Sequence, residues 1–257
     1  MVLRYSANIS TLWRDIPLRE RLEKVSRAGL HAFEFLFVST FGLAELAAAR
    51  GEFGLEVALF DLDIGDPTFK SSYGYLCRPE AEAEFFRSLE QALSDATRLG
   101  CRRLNALVGR AVPDVPWERQ RDLVVERLRR AAPDAADAGV TLLVEAISSH
   151  LLPGYLVNYS RQALDIVDLV SHPNVLFQYD VYHMQLMEGN LISTLRENVA
   201  KIGHVQIADV PGRHEPGTGE INFPNLLRAL DETGYGGYVG LEYMSVGPDP
   251  FHWMTQP

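Results

Sequence analysis

A single (β/α)8 barrel is the fold that this chain predicts, on three observations. Strand-like and helix-like segments alternate from end to end without a clear linker, the pattern of a parallel sheet wrapped by helices. Four apolar runs each end in an oxygen-bearing side chain: TLLVE at Glu145, VLFQYD at Asp180, KIGHVQ at Gln206 and GYVGLE at Glu242. Buried parallel strands read as such runs, and a closed barrel is the simplest geometry that gathers their C-terminal ends on one face. The 257 residues match the roughly 250 typical of such a barrel, so residues 1–257 are expected to form one domain.

Taken in order, RYSANI (4–9) is the first strand, and a helix follows over 17–28 with proline in its first turn and Gly29 as its stop. HAFEFLF (31–37) is the second strand, with Glu34 among apolar neighbours, followed by a helix over 41–50. LEVALFDL (55–62) is the third, and its exit loop, 65–79, is long and carries three aromatic residues. Phe85, Phe86, Leu89, Leu93, Ala96 and Leu99 recur at helical spacing within 80–99. RLNALVG (103–109) is strand four, and the helix over 116–138 is expected to break or kink at Pro133. VTLLVE is strand five, and the helix after its exit loop starts at Ser160, a natural N-cap.

Strands six and seven end at Asp180 and Gln206, with a helix between them starting near Leu191. The loop after strand seven, ADVPGRHEPGTGEINF, is dense in glycine and proline, which impose a defined path. A helix over 224–233 and strand eight follow. The remaining YMSVGPDPFHWMTQP is too short and broken for a full eighth helix. The barrel is therefore expected to be capped unusually, or closed in part by another copy of the chain in a homo-oligomer.

Composition narrows the function. The hydrophobic share is 47% and the charged share 23%, as in an ordinary globular protein, and no apolar run approaches the length that spans a bilayer. The N-terminus lacks the apolar stretch and cleavage site of a secretory signal, so a cytoplasmic location is expected. Two cysteines without CxxC spacing exclude a thiol-rich metal site. A net charge of −10 repels nucleic acid, and a small anionic substrate would need local positive charge.

Glu145, Asp180, Gln206 and Glu242 close consecutive strands and should be neighbours at the barrel mouth. Three carboxylates and an amide oxygen suit a hard divalent cation, Mg2+ or Mn2+, and without a cation the carboxylates would repel one another. Arg213, in the glycine-rich loop, is the candidate for holding a substrate carboxylate, because a guanidinium fork matches it in two parallel hydrogen bonds. The alternative is a solvated loop arginine. His183, three residues past Asp180, either contacts a substrate oxygen or is a neutral structural histidine. His204 reads as barrel interior and Glu34 as a satisfied structural carboxylate.

The segments VNYSRQALDIV, FQYDVYHMQLMEGNL, KIGHVQIAD and above all HEPGTGEINF resemble the hydroxypyruvate isomerase family within the xylose isomerase-like TIM barrels, and RYSANIS and RLNALVG extend the resemblance over most of the chain. The resemblance implies a divalent metal held by Glu145, Asp180, Gln206 and Glu242, with Glu145 and Glu242 also the acid/base pair, and it favours substrate contact for His183. The implied reaction converts hydroxypyruvate into tartronate semialdehyde (2-hydroxy-3-oxopropanoate) through a cis-enediolate. One departure stands out: relatives often carry a His-Asn pair at the end of strand three, where this chain has Phe60 and Asp61. An apolar ring there would replace a substrate-binding imidazole, which leaves a 2-oxo-tetronate as a competing substrate.

Two other enzyme classes use such a barrel. Apurinic endonucleases need several histidine ligands and a basic surface, which this acidic chain lacks. Sugar 3-epimerases share the metal and two glutamates but act on larger neutral sugars, so neutral ketohexoses assayed beside hydroxypyruvate separate the two. A non-catalytic binding barrel would bind ligand tightly without turnover.

Overall fold

The computed structural model describes residues 3–64 and 72–255. Eight parallel strands form a closed barrel in chain order: β1 (Arg4–Asn8), β2 (Ala32–Phe35), β3 (Glu56–Asp61), β4 (Arg103–Asn105), β5 (Thr141–Glu145), β6 (Val175–Asp180), β7 (Ile202–Ile207) and β8 (Tyr238–Leu241), with β8 pairing back onto β1. Around them run α1 (Leu18–Arg27), α2 (Val38–Phe41), α3 (Leu43–Phe53), α4 (Glu82–Leu99), α5 (Trp117–Asp137), α6 (Ser160–Val170), α7 (Val181–Met187), α8 (Leu191–Asn198) and α9 (Phe223–Glu232). The alternation of strand and helix signals thus corresponds to a (β/α)8 barrel.

The longer helices are held by the face that their apolar spacing creates. In α1 the buried residues are Leu18, Leu22 and Val25, and in α4 Phe85, Leu89, Ala92, Ala96 and Leu99 lie on the barrel side. Outward strand residues such as Phe33, Val144, Phe177 and Val205 meet them in one continuous core. Alternate residues of the same strands point inward and are polar: Ser6 and Asn8, Glu34, Asn105, Glu145, Gln178 and Asp180, His204 and Gln206, all buried. The period of two therefore separates an apolar helix layer from a polar barrel interior.

Several local expectations are corrected. β4 ends at Asn105, because the chain then leaves the sheet: Val108 forms an antiparallel bridge with Gly74, and its amide donates to the Tyr155 hydroxyl at 2.8 Å. α5 runs through Pro133 without a break; that proline lies on the exposed face, where water can satisfy the carbonyl it leaves free. The helix after β2 is two helices, starting at Val38, and α7 begins directly after Asp180, so His183 sits in a helix rather than a loop. Of the long loop at 65–79, residues 65–71 lie outside the described residues.

After β8 a short 3-10 turn, His252–Thr255, is the one helical element among the described residues. Trp253 packs edge-on to Tyr5 with ring centroids 5.8 Å apart and donates to the Tyr243 hydroxyl at 3.1 Å, while Phe251 packs edge-on to Trp13 at 5.6 Å. The chain's own aromatic side chains cover part of the gap that a full eighth helix would fill. No helix among the described residues is long and apolar enough to cross a membrane.

Candidate metal centre

Asp180 ends β6 and caps the helix that follows. Its Oδ1 accepts from the amides of Tyr182 at 2.7 Å and His183 at 3.2 Å, so the helix start orients the carboxylate and leaves Oδ2 beside the His183 and Arg213 side chains. The same turn brings the His183 imidazole back over it, with Nε2 3.4 Å from Asp180 Oδ2 and 3.9 Å from Glu145 Oε1. Glu145, at the end of β5, is steadied by Asn105, whose Nδ2 donates to Oε2 at 2.7 Å. Possible ligand atoms of Glu145, Asp180 and His183 all lie within 4.8 Å of one another, each from a buried residue.

This triad is a candidate site for a divalent cation. Burial, then Asp180, Glu242 and Asp61, hold the Glu145 carboxyl well above the usual range. Burial lowers the His183 imidazole to about 4 against the opposing pull of Asp180, which makes it neutral at pH 7, the form that ligates a metal. His183 Nδ1 is buried and has no hydrogen-bond partner among the described residues. Clustered carboxylates that cannot comfortably ionise together, beside a neutral imidazole, fit a cation.

Glu242 follows β8 and pairs with Arg213, whose Nη2 stands 3.0 Å from Glu242 Oε2 and 3.6 Å from Asp180 Oδ2. Burial pushes the Glu242 carboxyl up to about 7, with Arg213 opposing and Asp180 adding to the rise. Burial works against the Arg213 charge, yet Glu242, Asp180 and Glu145 outweigh it and raise its pKa. The guanidinium also lies 5.3 Å from the centre of the Tyr182 ring. Arg213 is thus a half-buried arginine paired with Glu242 and not a solvated loop residue.

The glycine-rich loop presents Arg213 by a specific device. Asp209 accepts the amides of Val210, Gly217, Gly219 and Ile221 at 2.8–3.1 Å, folding the loop around one carboxylate. Gly219 lies so close that a Cβ there would stand 1.9 Å from the Val210 carbonyl oxygen. Glu215, fully buried, then accepts from the Ser245 hydroxyl and the amides of Val246 and Gly247 at 3.1–3.3 Å. The Met244 amide donates to the Arg213 carbonyl at 2.9 Å. These bonds lock the loops after β7 and β8 together, and with them Arg213 to Glu242.

Gln206 ends β7 in a polar floor. Its Nε2 donates to Glu34 Oε1 at 2.9 Å, and its Oε1 accepts from Gln178 at 2.6 Å. Glu34 also accepts from Ser6, Asn8 and His204 at 2.7–3.3 Å. Burial would raise the Glu34 carboxyl, but His204, Gln206 and Ser6 lower it below the usual value. Glu34 is therefore the satisfied carboxylate expected, and His204 belongs to the interior.

Phe60 does not face this site. It stacks on Phe35 with centroids 5.3 Å apart, and Phe35 packs edge-on to Phe41 in the helix layer. A shift of register between β2 and β3 turns Asp61 inward instead, beside Asn105. Burial, reinforced by Glu242, holds the Asp61 carboxyl well above the usual range. Asp61 and Asn105 end their strands as Glu145 and Asp180 do, although apolar residues continue the sequence pattern to Leu62 and Gly109.

Comparison with known proteins agrees with this architecture. Residues 22–255 match the family described as xylose isomerase-like TIM barrel. Hydroxypyruvate isomerase from Escherichia coli (strain K12) is 38% identical over 94% of this chain and 93% of its own. A 2-oxo-tetronate isomerase from Cupriavidus necator is 37% identical over 93% and 92%. The crystal structure of a Brucella melitensis protein described as AP endonuclease, family 2, superposes with a TM-score of 0.94 over 98% of both chains at 34% identity. The two isomerase activities stand at nearly the same identity, so relatedness alone does not choose between them. The chain belongs to the xylose isomerase-like TIM barrel family.

Proposed function

We propose that this protein is a metal-dependent isomerase of small 2-oxo acids, interconverting hydroxypyruvate and tartronate semialdehyde. The observation that carries this reading is the pair of buried glutamates, Glu145 and Glu242, both with raised pKa, placed beside the half-buried Arg213. A carboxyl poised near neutrality can both take and return a proton. Glu145, Asp180, Gln206 and Glu242, with His183 beside them, would hold Mg2+ or Mn2+, which when bound polarises the substrate carbonyl and stabilises charge developing on oxygen.

One glutamate removes a proton from C3 of hydroxypyruvate, giving the cis-enediolate, and a proton is returned at C2. The C3–H bond breaks, a C2–H bond forms, and the hydroxyl proton passes from the C3 oxygen to the C2 oxygen. Asn105 keeps one oxygen of Glu145 hydrogen-bonded, which restricts its other oxygen to the side facing Asp180 and His183. Arg213 supplies the positive charge that an anionic substrate requires in a chain of net charge −10. His183, neutral and buried, contacts a substrate oxygen.

A second reading, 2-oxo-tetronate as substrate, is favoured by Asp61, which adds a polar group at the mouth able to meet a fourth-carbon hydroxyl. Sugar 3-epimerisation would leave Arg213 without an anion to bind, and a nuclease role conflicts with the net charge and the single histidine of the triad. The cytoplasm and an assembly of identical subunits complete the proposal. Steady-state assays with hydroxypyruvate, a 2-oxo-tetronate and neutral ketohexoses, each with Mg2+ or Mn2+, test it. Highest kcat/KM with hydroxypyruvate is expected; a preference for the tetronate moves the assignment to the four-carbon acid, and turnover of ketohexoses alone refutes both.

A further inference from the structure

The Glu34 side chain crosses the barrel interior. It leaves β2, yet its carboxylate reaches Gln206 on β7, although β1 and β8 lie between those two strands. Small residues open the way. Ser6 and Gly240 face each other where β1 pairs with β8, and a Cβ on Gly240 would stand 2.5 Å from Glu34 Oε2 and closer still to Oε1. The Gly240 backbone lies outside the left-handed region and would accept an alanine, so the missing side chain serves the carboxylate and not a turn.

Two carboxylate oxygens there take four donors. Oε2 accepts from Ser6 Oγ at 2.7 Å and His204 Nε2 at 2.9 Å, and Oε1 accepts from Gln206 Nε2 at 2.9 Å and Asn8 Nδ2 at 3.3 Å. A group surrounded in this way acts only as an acceptor. The Gln206 amide facing it therefore has one satisfactory orientation, with NH2 toward Glu34 and oxygen away. Turned over, it would set oxygen against a carboxylate oxygen and its NH2 against the Gln178 NH2, which now donates to Gln206 Oε1 at 2.6 Å. That bond uses one lone pair of the amide oxygen and leaves the second. The strand register pairs Gln206 with Asp180, so the oxygen belongs to the same wall of the barrel as the Asp180 carboxylate.

We propose that Glu34 is a positioning residue that fixes the Gln206 amide with its oxygen, and not its NH2, offered to a divalent cation. The proposal rests on the metal-dependent reading above, in which Gln206 is a ligand. Glu34 itself touches neither cation nor substrate and acts only through Gln206.

Calorimetric titration of metal-stripped protein with Mn2+ tests this for wild type, E34Q, Q206A, the double variant and Gly240→Ala. Glutamine at position 34 keeps the shape but turns an NH2 toward some of the four donors, and it can pair with Gln206 in either orientation. E34Q is expected to weaken Mn2+ binding about 10- to 100-fold, the usual effect of removing a group that orients a ligand. In the Q206A background the same substitution should add less than about twofold, because its effect passes through Gln206. Gly240→Ala keeps the carboxylate but displaces it, and should also weaken binding. Wild-type affinity in either E34Q or Gly240→Ala, or losses that multiply in the double variant, overturn the proposal. NMR of the wild-type protein supplies a readout that needs no variant to fold. Mg2+ should move the carbonyl-carbon resonance of the Gln206 side chain while its NH2 protons exchange no faster than before. An unmoved carbon, or an NH2 released to solvent, overturns the role of Glu34. Absence of Mn2+ binding by wild type would instead defeat the metal reading, and the role of Glu34 with it.

Discussion

In the proposed reaction, Glu145 and Glu242 are the residues that move the proton. Replacing either by glutamine removes the titrating group and keeps the shape, so each variant is expected to lose about 10²–10⁴ in kcat while keeping its circular dichroism spectrum. Wild-type rates in either variant would refute the acid/base pair. Arg213→Lys should behave differently, raising KM for a 2-oxo acid by about tenfold or more with a smaller change in kcat, because the ammonium cannot offer the fork. The residues legible from sequence were those whose strand signal stopped at them: Glu145, Asp180, Gln206 and Glu242 each close an apolar run. Asp61 and Asn105 close runs too, but apolar residues resume after them, so pattern alone did not reveal where the sheet ends. His183 was legible as a site residue, whereas its place within 4.8 Å of Glu145 and Asp180 follows from a helix start at Val181 that the sequence did not betray.

Among the elements, the loop after β7 decides how precisely Arg213 is presented. Asp209 gathers four amides with its two oxygens, and an asparagine there would point an NH2 group at some of those donors. Asp209→Asn is therefore expected to lower the melting temperature by several degrees and to raise KM, as Arg213 loses its place beside Glu242. A variant with unchanged KM would show that the loop does not govern Arg213. Glycine and proline density announced a loop of fixed path, but not the carboxylate that organises it, because Asp209 looks like any strand-end residue until the chain folds back around it. The Phe60 position was misleading for a related reason. A one-residue shift between β2 and β3 exchanges the faces of Phe60 and Asp61, and no hydrophobic pattern records such a shift.

At the scale of the whole molecule, the barrel concentrates acidic groups on one face of an acidic protein, and pH and metal should act together on its stability. Burial raises the Glu242 carboxyl to about 7 and raises Glu145 as well, so in the metal-stripped fold both favour the protonated form more than they do in the unfolded chain. The contribution of each is complete below the unfolded value near 4.5 and is lost as pH rises through its raised folded value, about 7 for Glu242. The melting temperature of metal-stripped protein should accordingly contain a component that falls between about pH 5 and pH 8 and is smaller in Glu242→Gln. Added Mg2+ or Mn2+ should restore stability at the upper end and release protons, detectable by calorimetry in buffers of different ionisation enthalpy. Proton uptake, or no metal effect on melting, would contradict the site. The most direct test of the account follows hydroxypyruvate by NMR in D2O with metal-stripped protein, before and after adding Mg2+ or Mn2+. Metal-dependent appearance of tartronate semialdehyde, with deuterium entering at C2 of product or C3 of recovered substrate, is the predicted result. No product and no exchange at C3 with either metal would contradict the proton-transfer reading of Glu145 and Glu242 for this substrate.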